Sequence, residues 1–191
     1  AHAFRMSMLR MVGALPSGKW WLKMRYAPRK VNLEREVFGV HFHNPIGIAA
    51  GIDPNGDTLN ELEAAGFGFV EVGSVVPRPQ PGTSRPRIKR LRKEASLLDN
   101  SGYPSRGLES VLKNLRRRTR YTKKLVIGCN IGKLTASHAE DTTKEYLRVF
   151  RNMYQYVDFF VINISCNTAS KRIVLRSREE ILALIEPLFE F

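Results

Sequence analysis

Four short apolar runs, spaced by longer helix-like stretches, constrain this chain more than any other feature. They occupy residues 45–50 (PIGIAA), 69–76 (FVEVGSVV), 125–130 (LVIGCN) and 159–164 (FFVINI). Each is mostly continuous in apolar residues rather than alternating, which is the pattern of parallel strands covered on both faces. Helix-like segments near 56–65, 106–120, 139–155 and 177–190 follow them in turn, giving four βα units in sequence. Sequential right-handed βα units build either an open doubly wound sheet or a barrel. No GxGxxG follows the first run, which weakens the dinucleotide-binding version of the open sheet; Gly66 and Gly68 precede the second run and read as closing a helix. A complete barrel has eight units in roughly 250 residues, and the 191 residues here hold four.

Charge enters the argument through its distribution. The formal net charge is +13, and it is concentrated in two places. Residues 1–30 carry Arg5, Arg10, Lys19, Lys23, Arg25, Arg29 and Lys30 with no acid, and residues 85–124 carry fourteen bases against Glu94, Asp99 and Glu109. Localised basicity of this kind points to a polyanionic partner, RNA or an anionic lipid surface. The second cluster runs through Arg85, Arg87, Lys89, Arg90, Arg92 and Lys93 in a loop, then Arg116, Arg117, Arg118, Arg120, Lys123 and Lys124 around a helix end. Such side chains hold phosphate backbones without reading sequence. The plainer reading is a solvated basic face, with bases favoured at a helix C-terminus by its dipole.

Residues 1–32 read as a separate basic extension and 33–191 as the βα body. In the extension, Phe4, Met8, Met11, Leu15, Trp20, Trp21 and Met24 flank a Pro16-Ser17-Gly18 turn, giving two short helices. They suit either a membrane surface, with the Trp pair at the interface, or packing on a neighbouring element. The Arg-rich, acid-free composition also resembles a transit peptide, which makes a mitochondrion the expected compartment and the cytoplasm the alternative. Two cysteines and four histidines without HExxH or paired-cysteine spacing give no zinc motif and no disulfide framework. His41 and His43 alternate in a strand-like stretch and are expected on one face of a short hairpin.

Small and amide residues gather where the four strands end: Ala49-Ala50-Gly51, Gly73-Ser74, Asn130 with Gly132-Lys133, and 163–168. In βα folds chemistry sits at the carboxyl ends of the strands, so these groups suggest one shared site. The stretches NPIGIAAGIDPNGD (44–57), GFGFVEVGSVVPRPQPGTSRPRIKRL (66–91), CNIGK (129–133) and VINISCNT (161–168) resemble the dihydroorotate dehydrogenase family in its membrane-associated, quinone-reducing class. The resemblance implies the first half of an FMN-binding TIM (β/α)8 barrel, preceded by a basic helical hairpin. It also implies an FMN enzyme in which a base takes a proton from dihydroorotate while hydride passes to the flavin, a step of pyrimidine biosynthesis. By match, Ala50, Gly51, Ser74, Asn130 and Asn163 contact FMN; Asn163, Asn167 and Thr168 hold substrate; and Cys166 stands at the position of the family's Ser or Cys base.

Three departures from the family pattern set the remaining expectations. Pro54 follows Asp53 where the family has Lys, Asp99 stands where it has Asn, and Cys166 runs directly into Asn167 without the intervening Pro. Together with the end of the sequence after the fourth βα unit, they favour a catalytically inactive half-barrel without cofactor, kept as a structural subunit and covered by other protein chains. The alternative is half of a working FMN-dependent enzyme completed by another chain.

Overall fold

A computed structural model describes residues 2–27, 32–118, 124–136, 141–164 and 177–191. Its centre is a parallel sheet of four strands, β3 (Gly47–Ile48), β4 (Phe69–Val75), β7 (Val126–Ile131) and β8 (Phe159–Ile162), adjacent in chain order. Gly47 pairs with Phe69, Phe69 with Val126, and Gly128 with Phe159. Four helices follow these strands: α3 (Leu59–Ala64), α4 (Leu108–Arg117), α5 (Thr142–Met153) and α6 (Arg178–Phe189). The four expected βα units are therefore present. The first strand is shorter than the apolar run suggested, two residues instead of six, because Ala49 and Ala50 already turn into the loop that carries Gly51 at φ 89°.

Strand alternation sorts residues between two faces. Val70, Val72, Ile127, Cys129 and Ile131 join Leu108, Val111, Leu112, Tyr146, Val149 and Met153 in one buried core between sheet and helices. The helices supply it because their apolar residues recur at three- and four-residue spacing, as in Leu108, Val111, Leu112 and Leu115. A Leu112→Ala substitution in such a core costs about 2–5 kcal/mol. Phe69, Glu71, Gly128, Asn130 and Phe159 alternate onto the opposite, inner face.

Two helices, α1 (His2–Ala14) and α2 (Gly18–Tyr26), form the expected hairpin ahead of the body. It leaves Phe4, Met11, Leu15 and Trp20 more than half exposed. Next comes an antiparallel pair, β1 (Arg35–Val37) and β2 (Val40–Phe42), turning through Phe38 and Gly39 at positive φ. Phe42 lies 5.7 Å from the Phe69 ring and 6.4 Å from the Phe159 ring, so this hairpin closes the amino end of the inner face. The neighbouring positions are glycine for a steric reason. A Cβ on Gly47 would come within 2.4 Å of the Phe69 ring, and one on Gly128 within 2.3 Å of the Phe159 ring.

A second antiparallel pair, β5 (Ile88–Leu91) and β6 (Ser96–Asp99), rises from the carboxyl end of β4. The sequence reading places this basic segment in a loop. Its residues escape strand patterning because both faces are solvated, leaving apolar Ile88, Leu97 and Leu98 among charged neighbours.

Candidate active site at the strand ends

The first βα loop is built on a buried carboxylate. Asp53 accepts hydrogen bonds from the Asp57 and Thr58 amides and from the Thr58 hydroxyl, at 2.8–2.9 Å, just before α3 begins. Two backbone bonds then clamp the loop to Gly73: Gly51 N donates to the Gly73 carbonyl and Gly73 N to the Pro54 carbonyl, both at 3.0 Å. Gly73 can take part because it sits at φ 126°, where the register between β4 and β7 shifts. A Cβ there would meet the Asn130 carbonyl at 2.5 Å. Pro54 thus contributes a carbonyl to the scaffold and no cation.

Beside this clamp the strand ends form one hydrogen-bonded row. The Ser74 hydroxyl donates to Asn130 Oδ1 at 2.6 Å, and Asn163 Nδ2 approaches Ser74 Oγ at 3.4 Å and Asn130 Oδ1 at 3.5 Å. Asn130 Nδ2 in turn donates to Glu71 Oε1 at 2.7 Å. The far end is held from behind the sheet, where the buried Tyr146 hydroxyl of α5 donates to the Asn163 carbonyl at 2.5 Å. Four strands and one helix therefore place Gly51, Ser74, Asn130 and Asn163 together, with Ala50 half-buried beside Gly51.

Cys166, Asn167 and Thr168 lie outside the described residues, as do Arg120 and Lys123. Sequence reasoning missed Glu71, although its signal was present: a single acid inside an otherwise apolar strand, which burial makes costly unless it is paired. It also passed over Tyr146. The other cysteine, Cys129, faces the helix-packed core; burial, followed by the Glu71 charge, pushes its pKa well up, so it is a neutral packing group.

Asp99 is at the exposed end of β6, not in this row. It accepts from the Ser101 hydroxyl at 2.5 Å and the Ser101 amide at 2.8 Å, and these bonds, hydroxyl first, hold its pKa below the ordinary aspartate value. A groove of about 790 Å³ lies further out between Pro54, Pro79, Pro81, Pro104 and Arg106, and none of the row's side chains lines it. The row opens instead onto the inner face of the sheet.

The basic residues of 85–124 divide between two ends of the molecule. Val76 O accepts from Leu108 N, so the segment between them, including the β5–β6 hairpin, springs from the carboxyl end of the sheet. Arg118 donates to Leu125 O at the opposite end, where β7 begins. Arg85, Lys89, Arg90, Arg92 and Lys93 are exposed on the first side, and Arg117 and Lys124 on the second. Some members have structural partners. Arg87 donates to the Thr83 and Pro81 carbonyls, Arg118 faces Glu63 at 3.6 Å, and Arg116 packs over Tyr156 at 5.4 Å. The described members of this basic set are therefore divided between the two ends of the sheet.

His41 lies on β2 with His43 just beyond it, on the hairpin expected for them, and His43 Nδ1 donates to the Lys124 carbonyl at 2.8 Å.

Parallel βα units with polar groups gathered at the strands' carboxyl ends are common to doubly wound and barrel folds, and four such units stand in chain order here. The dihydroorotate dehydrogenase family model matches residues 32–189. The chain is 35% identical over 187 residues to a dihydroorotate dehydrogenase (quinone) of Christiangramia forsetii, covering 98% of this chain and 54% of that protein. It is 37% identical over 190 residues to one of Coxiella burnetii, covering 100% and 52%. Among solved structures, the Eimeria tenella enzyme in complex with ferulenol superposes with a TM-score of 0.73 at 29% identity, over 90% of this chain and 48% of that one. The chain belongs to the dihydroorotate dehydrogenase family, and it spans about half the length of the curated relatives it matches.

Proposed function

We propose that this chain forms the flavin-facing side of a barrel that oxidises dihydroorotate to orotate. The observation that carries the reading is the row Ser74, Asn130 and Asn163, held beside the Gly51–Gly73 clamp. The family uses FMN, and the residues present fit it on two counts. Gly51 leaves open space where a side chain would stand, so a flat ring can approach the backbone there. The hydroxyl and carboxamides supply both donors and acceptors, as the alternating edge of a flavin requires. FMN supplies a two-electron acceptor for hydride.

The chain's own groups do the rest. Ala50 and Gly51 would bound the ring, Ser74 and Asn130 would orient its edge, and Asn163 would serve both flavin and substrate. Asn167 and Thr168 bind the substrate's polar edge, and Cys166 takes the proton, a role that requires the thiolate. The test is turnover of dihydroorotate by the protein isolated with every chain that accompanies it. Cys166→Ala should lower kcat at least about 100-fold, the contribution of a positioned general base, while FMN content stays unchanged. Equal turnover in the variant would end this assignment.

One observation favours a second reading. Pro54 replaces a lysine of the family pattern, and its carbonyl is committed to the Gly73 amide, so this position offers no cation to an anionic substrate. In that reading the half-barrel is an inactive structural subunit without cofactor, covered by other chains, with its exposed bases meeting RNA or anionic lipid, in a mitochondrial setting. It requires that the isolated assembly contain no flavin and that polyanion binding weaken steeply between roughly 50 and 200 mM salt. Flavin-bearing, active protein would exclude it.

A further inference from the structure

We propose that Glu71 is a positioning residue that fixes the donor and acceptor polarity of the whole strand-end row. An ionised carboxylate has acceptors only, whereas a carboxamide has both kinds of group and can turn over with little change in shape. Glu71 Oε1 lies 2.7 Å from Asn130 on the inner face of the sheet, so the Asn130 amino group must face it. The Asn130 carbonyl oxygen is thereby directed the other way, towards Ser74 and Asn163. There it accepts the Ser74 hydroxyl proton at 2.6 Å. A hydroxyl that donates in this direction turns its lone pairs to Asn163, whose Nδ2 stands 3.4 Å from Ser74 Oγ and 3.5 Å from Asn130 Oδ1. Polarity thus passes outward from one carboxylate through Asn130 and Ser74 to Asn163 at the end of the fourth strand.

The negative charge also acts on the other side of β7, where it adds to burial in keeping the Cys129 thiol protonated. Among the described side chains of the row, Glu71 is the one group that can only accept. A carboxamide at this position matches the shape but donates or accepts equally well, leaving Asn130 two orientations and Ser74 and Asn163 two matching patterns. The site would then be folded but ambivalent, and a ring whose edge alternates donors and acceptors would have to select one pattern on binding.

The consequence for flavin rests on the function proposed above; the polarity itself does not. The test uses the protein with all chains that accompany it and compares Glu71→Gln, Glu71→Asp, Asn130→Asp and the double variant Glu71→Gln/Asn130→Asp. In the double variant the carboxylate introduced on β7 becomes the acceptor-only group. It takes donors from the carboxamide introduced on β4, from Ser74 and from Asn163, so the outward polarity is restored. The first readout is the side-chain amide NMR signal of Asn163, identified by its loss in Asn163→Asp. We expect one signal pair in the native protein, two in Glu71→Gln, and one again in Glu71→Asp and in the double variant. The second readout is FMN affinity: about tenfold weaker in Glu71→Gln, as for the loss of one defined hydrogen bond, and back within about threefold of native in the double variant. An unchanged single Asn163 signal in Glu71→Gln overturns the proposal, as does a double variant as weak as its two single changes combined. Protein that binds no FMN in any form refutes the flavin reading alone, and the Asn163 signals still decide the role of Glu71.

Discussion

Asp99 and Cys129 show how the surroundings of a residue set its chemistry. Asp99 reads from sequence as a carboxylate where the family pattern has a neutral amide. It is an exposed strand end whose charge is satisfied by Ser101. Its pKa lies below the ordinary aspartate value in the folded chain. Its contribution to stability is therefore present above the unfolded-state value and is lost as pH falls through the lowered one. Ser101→Ala keeps the amide donor and removes the hydroxyl, so it should move the Asp99 titration, followed by carboxyl carbon NMR, part of the way back towards the ordinary value; an unmoved titration would remove the hydroxyl as its leading cause. Cys129 differs in kind, being a thiol kept neutral by burial and by Glu71. In a Cys166→Ser background, a disulfide reagent should not react with Cys129 until denaturant is added. Prompt reaction in buffer would contradict its burial. The amides of the row were legible because strand-end Asn and Ser stand out from apolar runs. Glu71 and Tyr146 were not, since their meaning lies in which neighbour each one faces.

Among elements, the parallel strands were the most legible, because a strand covered on both faces must be apolar along its length. The β5–β6 hairpin was the least legible, because it is solvated on both sides and carries no periodic pattern. The close approaches between elements are equally invisible in sequence, yet they are stringent. Gly68 is one, where a Cβ would fall 1.7 Å from the Asn44 carbonyl oxygen at the entry to β4. Gly68→Ala should destabilise the chain by about 3 kcal/mol, the upper range for forced overpacking. A denaturation midpoint equal to native would show that the two segments separate at no cost. The link from α5 to β8 makes a finer prediction. Tyr146→Phe removes the hydroxyl that donates to the Asn163 carbonyl. We expect about 0.5–1.5 kcal/mol of lost stability and weaker substrate binding, because the strand end that carries Asn163 loses this anchor. Calorimetry and KM measured on the same preparation separate the two effects.

For the molecule as a whole, the sheet's helix side is covered and its inner side carries the polar row and a floor of three phenylalanines, Phe42, Phe69 and Phe159. Basic charge is placed at both ends of the sheet rather than in one patch, a division that sequence order alone could not reveal because α4 carries the chain from one end to the other. No helix among the described residues is long and apolar enough to cross a membrane. The α1–α2 hairpin nonetheless exposes Phe4, Trp20 and Trp21 between basic residues, a combination suited to an anionic lipid surface. Trp20→Ser/Trp21→Ser should reduce binding to vesicles containing anionic lipid at least several-fold, read by co-sedimentation; unchanged binding would assign those rings to packing against protein.

The central claim is that the strand-end row faces a flavin. Its most direct measurement is the visible absorption spectrum of the protein isolated with all its accompanying chains, taken beside the Asn130→Ala/Asn163→Ala variant and with dihydroorotate added. The account predicts a flavin band in the native protein that bleaches on adding dihydroorotate, and a band strongly reduced in the variant. A colourless native protein, or a variant that retains and bleaches its flavin like the native one, would contradict it.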